Sequence, residues 1–245
     1  MNILRLFSRK DKGQKQPHCS AVIVAAGSSR RMGSDKLKMM LGDRPVLVRT
    51  LQVFEASPLV DEILVVTRED KLEETAALCR QYGISKVSRV LCGGKTRAES
   101  ALAGVSEVSP KARLIAIHDG ARPLLSQQLL QRCVCTAAEH LAAAPALPNT
   151  DTLKAVDSEG KMIGTIDRDS SFRVQTPQVF QAELIKAALT RAVEKQLPIT
   201  DDCSALELLG VRAMTVEGEE DNLKITTERD LTFAAQILRD RGESL

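Results

Sequence analysis

Short apolar runs rich in β-branched residues and alanine recur at residues 21–26, 62–67, 87–91, 114–117 and 212–216, with stretches of helix length between them. Residues 46–54 set Leu47, Leu51 and Phe54 at helical spacing behind Pro45, a residue suited to a helix's first turn. Residues 71–82, 96–108 and 127–139 carry the same periodicity. Parallel strands need a crossover, usually a helix, to bring the chain back. The alternation therefore predicts an α/β fold of Rossmann-like type, a mostly parallel sheet with helices on both faces. Ligands of such sheets bind beyond the carboxyl ends of the strands, so chemistry is expected in the loops that follow them.

The alternation breaks at residues 147–175. There 151–156 and 161–166 are two short alternating segments around the turn Asp157, Ser158, Glu159 and Gly160, which reads as an inserted β-hairpin. Such an arm has few core contacts of its own and would be stabilised against another subunit. The expected division is a disordered basic leader at 1–18 and one domain at 19–245, with the arm at about 149–174.

The leader is apolar at 1–7 but too short for a signal segment, and Arg9, Lys10, Lys12 and Lys15 follow it. No apolar run approaches the roughly 20 residues of a membrane span. The 34 basic and 32 acidic residues nearly cancel, so nothing in the net charge of +2 would hold nucleic acid or an anionic membrane. Six cysteines are scattered without a Cys-x-x-Cys pair, as in a cytoplasmic protein with reduced thiols.

The first strand runs into Ala25, Ala26, Gly27, Ser28, Ser29, Arg30, Arg31, Met32 and Gly33, followed by Asp35 and Lys36. Small residues let backbone N–H groups approach phosphate oxygens, and the basic side chains supply compensating charge. The segment has neither the dinucleotide Gly-x-Gly-x-x-Gly nor the Gly-Lys-Ser/Thr of a P-loop. His118, Asp119, Gly120, Ala121, Arg122 and Pro123 end another strand. A carboxylate there, close to phosphates, is a natural ligand for Mg²⁺ or another divalent cation. Arg122 is placed to hold a phosphate, or to form a surface ion pair. The glycines of Gly93, Gly94, Lys95, Thr96, Arg97, Ala98, Glu99 and Ser100 permit close approach to a flat base, whose polar edge Ser100 could read.

These three segments, with Gln175-Thr176-Pro177-Gln178, Thr200-Asp201-Asp202 and Glu217-Gly218 leading to Asp221-Asn222-Leu223-Lys224-Ile225-Thr226, resemble the 2-C-methyl-D-erythritol 4-phosphate cytidylyltransferases of the non-mevalonate isoprenoid pathway. The resemblance runs from about residue 19 to residue 240. It implies that CTP and a sugar-alcohol phosphate are joined with release of pyrophosphate. The family's two transition-state stabilisers fall on Arg31 and Lys36. Counting back from Gly42 gives Lys36, whereas counting forward from Met32 would give Lys38. The metal aspartate falls on Asp119, nucleotide contacts on Ala25, Ala26, Gly27, Ser28, Ser29, Gly93, Gly94 and Ser100, and substrate-positioning groups on Arg168, Lys224, Arg122, Thr152, Thr176 and Thr200.

The resemblance also implies a homodimer whose hairpins carry Thr152 and Arg168 into the partner's site. Two other readings stay open. A ribitol-5-phosphate cytidylyltransferase shares the fold and much of the first loop, and a non-catalytic nucleotide-binding homologue could keep both. No Ser/His/Asp or Cys/His arrangement points to a covalent nucleophile. Asp201 and Asp202 also suit the cap of a helix over 203–209.

Overall fold

The computed structural model describes residues 18–27 and 35–243. Residues 1–17 of the leader and the expected site residues Ser28, Ser29 and Arg31 lie outside the described residues. His18, at the end of the expected leader, accepts backbone hydrogen bonds from Arg113 and Leu114.

Four parallel strands form the centre of the sheet: β1 (Cys19–Val24), β4 (Glu62–Thr67), β5 (Val87–Cys92) and β6 (Leu114–Asp119). β1 lies between β6 and β4, and β5 flanks β4. Two short strands, β2 (Met40–Leu41) and β3 (Arg44–Pro45), form a separate ribbon before the first helix. Beyond β6 the sheet continues through β11 (Gln178–Gln181), antiparallel, to β7 (Ala142–Pro148). β10 (Phe172–Val174) pairs antiparallel with the far end of β7, and β12 (Met214–Glu217) pairs with β7 in parallel.

β1 alternates across the sheet, as the period of two demands. Ala21 and Ile23 join a core with Leu47, Leu51 and Phe54 of α1 (Val46–Ala56), Cys79 of α2 (Leu72–Gln81) and Leu129, Leu130 and Cys133 of α4 (Gln127–His140). Val22 turns to the opposite core with α3 (Arg97–Ser106), α5 (Ala182–Glu194) and α6 (Asp202–Glu207). A third cluster seats α7 (Glu228–Asp240) and buries Ile225 against Leu41, Val46 and Leu124. Burying side chains of this size stabilises the fold by about 1.5–3 kcal/mol each.

The hairpin forms as expected from β8 (Lys154–Val156) and β9 (Met162–Thr165), which make a two-stranded sheet of their own. Its turn is set by Asp157, whose Oδ1 accepts from the backbone N–H of Glu159 and of Lys161, each at 2.9 Å. Gly160 supplies the positive φ of 83° that closes it. All four residues of β9 are exposed. No described helix is long and apolar enough to cross a membrane.

Candidate active site

The carboxyl ends of β1, β5 and β6 open onto a cleft of about 400 Å³. The parallel register pairs Val24 with Asp119 and with Val66, so the loop after β1 begins beside the end of β6. Ala25, Ala26, Gly27, Gly94, Ser100, Lys36, Asp119 and Lys224, all expected from the sequence, line the cleft. So do Lys95, Thr96 and Arg97.

Local sequence explains how the walls are held. Thr96 caps α3, its hydroxyl accepting from the Glu99 N–H at 3.1 Å. The Glu99 carboxylate reaches back to the N–H of Lys95 at 2.5 Å. A Cβ on Gly93 would stand 2.7 Å from the Ala26 Cβ and 2.8 Å from the Ser100 Oγ, so only glycine lets the two loops close on each other. The Ser100 hydroxyl donates to the Thr96 carbonyl at 2.9 Å. At the floor, buried Thr50 donates to the Gly120 carbonyl at 2.9 Å.

Asp119 is 8% exposed, and cations surround it. Its Oδ2 lies 3.0 Å from the Lys224 Nζ and 3.3 Å from the Arg122 Nε, and its Oδ1 lies 3.8 Å from an Arg97 nitrogen. Burial opposes ionisation, but Lys224, Arg97 and Arg122 outweigh it and hold the carboxyl well below the usual range. The group is a carboxylate at any physiological pH. Among the described residues no three His, Cys, Asp or Glu side chains gather in a metal-binding cluster. A divalent cation here would have one carboxylate from Asp119 and would complete its shell with phosphate oxygens and water, the usual arrangement for Mg²⁺.

The two candidate lysines part company. Lys36 lines the cleft, whereas Lys38 lines a neighbouring cavity and is ion-paired with Glu74. Arg122 and Thr176 stand behind Asp119 rather than in the cleft wall. Arg122 donates to the Asn222 carbonyl at 2.7 Å, and Thr176 accepts the Asp119 N–H at 3.1 Å. Thr200 is exposed beside the start of α6, its N–H donating to Ser204 Oγ at 3.1 Å. Thr152 and Arg168 are exposed on the arm, where Arg168 donates to the Thr152 hydroxyl at 3.3 Å, and neither lines the cleft.

Sequence reasoning passed over one pair. Arg97 makes two 2.7 Å hydrogen bonds to the carboxylate of Asp202, which has no exposed surface. Burial pushes the Asp202 carboxyl upward, while the bidentate contact with Arg97 favours the ionised form. Burial opposes charge on Arg97 too, but Asp202 and Asp119 raise its affinity for the proton overall. Asp201, not Asp202, caps α6, accepting the Ser204 N–H at 2.9 Å. The capping signal concealed its neighbour's role, and no local signal joins residues 105 positions apart.

The model of the 2-C-methyl-D-erythritol 4-phosphate cytidylyltransferase (IspD) family matches residues 19–240. The protein of that name from Halalkalibacterium halodurans is 40% identical over 224 residues, covering 91% of this chain and 97% of the relative. That of Symbiobacterium thermophilum is 40% identical over 232 residues, covering 94% and 97%. Among solved structures, 4-diphosphocytidyl-2C-methyl-D-erythritol synthase from Anaerococcus prevotii superposes with a TM-score of 0.82 at 30% identity, covering 92% of this chain and 100% of its own. The Thermus thermophilus cytidylyltransferase gives a TM-score of 0.74 at 31% identity, covering 91% and 99%. With the match spanning the sheet, the cleft and the arm, this chain belongs to the 2-C-methyl-D-erythritol 4-phosphate cytidylyltransferase family.

Proposed function

We propose that this cleft joins CTP to 2-C-methyl-D-erythritol 4-phosphate, forming 4-diphosphocytidyl-2-C-methyl-D-erythritol and pyrophosphate. The observation that carries the reading is the convergence of Lys36, Lys95, Arg97 and Lys224 around Asp119, beside two small-residue loops at strand ends. The cytosine lies against Gly93, Gly94 and Ser100, and the triphosphate lies over Ala25, Ala26, Gly27, Ser28 and Ser29.

An oxygen of the alcohol's phosphate attacks the α-phosphorus in line. A bond forms from that oxygen to phosphorus, and the bond from phosphorus to the α,β-bridging oxygen breaks. Pyrophosphate leaves with the electron pair. A phosphate monoester is already ionised at neutral pH, so the chain need not supply a general base. Its task is positioning and charge stabilisation. Arg31 and Lys36 neutralise charge developing on the α-phosphoryl and bridging oxygens. A divalent cation held by Asp119 and phosphate oxygens supplies further neutralisation when bound. Lys224, Arg122 and Thr200 receive the alcohol phosphate, while Thr176, its hydroxyl engaged by the Asp119 N–H and by His118, holds the end of β6 in place.

The assembly proposed is a homodimer joined through the arms, with Thr152 and Arg168 of each arm completing the partner's site. Support comes from the hairpin's isolation from the main sheet and from its uncovered apolar residues, Met162 at 74% and Ile163 at 66% exposure. A pyrophosphate-release assay with the methylerythritol and ribitol phosphates tests the whole reading. Equal or greater turnover of the ribitol compound would overturn the substrate assignment. CTP binding without pyrophosphate release would reduce the chain to a nucleotide binder.

A further inference from the structure

His118 has no accessible surface and does not line the cleft. Both nitrogens of such a ring need partners, because an unpaired polar group in the interior is costly. Nε2 lies 3.1 Å from the Arg122 carbonyl oxygen, which can only accept, so Nε2 carries the hydrogen. In the singly protonated ring Nδ1 is then the acceptor, and it lies 3.0 Å from the Thr176 hydroxyl. That hydroxyl itself accepts the Asp119 N–H at 3.1 Å.

The hydrogens therefore run one way, from the Asp119 peptide to Thr176, from Thr176 to His118, and from His118 to Arg122. A second path closes the ring. Arg122 donates to the Asn222 carbonyl at 2.7 Å, and the Asn222 amide donates to the Thr176 carbonyl at 2.8 Å. Phe54 covers the imidazole, ring centroids 5.1 Å apart. Packing against Phe54 alone asks for no polar atoms at this position, so it does not explain two satisfied nitrogens.

We propose that His118 is a positioning residue for the reaction, orienting the Asp119 carboxylate through Thr176 and the Arg122 guanidinium through the Arg122 carbonyl. The inference rests on the roles of Asp119 and Arg122 in the proposed reaction. It makes one buried ring the joint between the nucleotide side of the cleft and the alcohol-phosphate side.

Two substitutions separate the links. His118→Asn keeps an acceptor near the Nδ1 position and gives up Arg122, whereas His118→Gln carries an amide donor to the Nε2 position and gives up Thr176. Losing a partner that orients a ligating group costs roughly 10- to 100-fold in affinity or activity. The expected result is a split of that size. H118N raises KM for the alcohol phosphate and leaves calorimetric Mg²⁺·CTP binding unchanged, while H118Q weakens Mg²⁺·CTP binding and leaves that KM unchanged. Thr176→Val breaks the same link from its other end and should reproduce the H118Q defect if H118Q folds poorly.

Wild-type parameters in both His118 variants would overturn the proposal, as would equal losses on both sides or a loss that tracks melting temperature alone. Failure of the substrate assignment looks different. The wild-type protein would then turn over another alcohol phosphate, while the calorimetric contrast between H118Q and H118N still decides the role of His118.

Discussion

The Lys224 Nζ lies 3.0 Å from the Asp119 Oδ2, joining the end of β6 to the segment that leads into α7. Asp119 is the only acidic side chain among the described residues lining the cleft, which it shares with Lys36, Lys95, Arg97 and Lys224, the last two 3.8 and 3.0 Å from its carboxylate. The described side chains of the cleft are thus positive overall, with the Asp119 carboxylate already neutralised by Lys224. A phosphate bound near Lys224 would compete with Asp119 for the ammonium, and a cation bound to Asp119 would release it.

Asp119→Asn therefore separates binding from turnover. The substitution removes the negative charge nearest the triphosphate, so metal-free CTP should bind more tightly in EDTA by calorimetry. Turnover should fall by about 10²- to 10³-fold, the size seen when one preorganised stabilising group is lost. Wild-type turnover, or weaker metal-free binding, would remove Asp119 from the role assigned to it.

The two lysines near the first loop are separated by their surroundings. Lys36 lines the cleft, while Lys38 is paired with Glu74 at the surface. Lys36→Ala should cost about 10²- to 10³-fold in kcat. Lys38→Ala should leave kcat within about twofold and stability within about 1 kcal/mol, as for an exposed ion pair. The reverse pattern in a steady-state assay would move the catalytic assignment to Lys38.

The Arg97–Asp202 pair is expected to be asymmetric when broken. Asp202 is fully buried, so Arg97→Ala strands a carboxylate in the interior and should destabilise the protein by about 3–5 kcal/mol near neutral pH. Asp202→Asn leaves a partly exposed Arg97 with Asp119 3.8 Å away and should cost less, about 1–2 kcal/mol. Burial raises the Asp202 pKa, and Arg97 is the cation that opposes the rise. A carboxyl with a raised folded-state pKa favours the fold below its unfolded value and loses that advantage as pH rises. The Arg97→Ala deficit in urea unfolding should therefore shrink as pH falls, and a deficit independent of pH would argue against a stranded carboxylate.

His118 gives a second pH dependence. Burial lowers its pKa from 6.5 to about 4, so the unfolded chain binds more protons between those values. Stability supplied by the neutral ring is complete above the unfolded pKa and is lost as pH falls toward 4, at up to about 1.4 kcal/mol per pH unit. Asp119 contributes in a lower window, because its depressed pKa matters only as pH falls through the unfolded carboxylate range and below. Urea unfolding between pH 4 and 6.5 should show the His118 slope in the wild type and lose one proton's worth of it in H118Q. An unchanged slope in the variant would assign it to other groups.

The parallel centre of the sheet was legible because β1, β4 and β6 are buried on both faces and so read as continuous apolar runs. β7 was not, since its Ala-Ala-Ala-Pro-Ala-Leu-Pro has neither alternation nor β-branched residues, and its place is set by three neighbouring strands. Motifs written in consecutive residues, such as Gly93 to Ser100, announced their loops. Long-range relations did not: nothing near Asn222 indicates that its amide holds Thr176, 46 residues away. The arm was readable from alternation and turn chemistry, yet alternation cannot say whose cleft an arm serves.

That question has a direct answer in mixed dimers. β8 and β9 pair with each other apart from the main sheet, and Thr152 and Arg168, hydrogen-bonded together, lie outside the lining of their own chain's Asp119 cleft. Lys36 lies in the cleft, so if each arm serves its neighbour, Lys36 and Arg168 of one working site come from different chains. Lys36→Ala and Arg168→Ala proteins should each be nearly inactive alone. In a mixed dimer one site then collects both defects and the other collects none. Random exchange of equal amounts makes half the dimers mixed, so pyrophosphate release should recover to about a quarter of the wild-type rate. Arms that serve their own chain give no such recovery, because every site would still contain one defect. Replacing Met162 and Ile163 by aspartate should abolish the recovery and leave monomers in sedimentation, since charge on both uncovered faces of β9 opposes burial between subunits. Recovery that survives in monomeric protein would disprove the shared site.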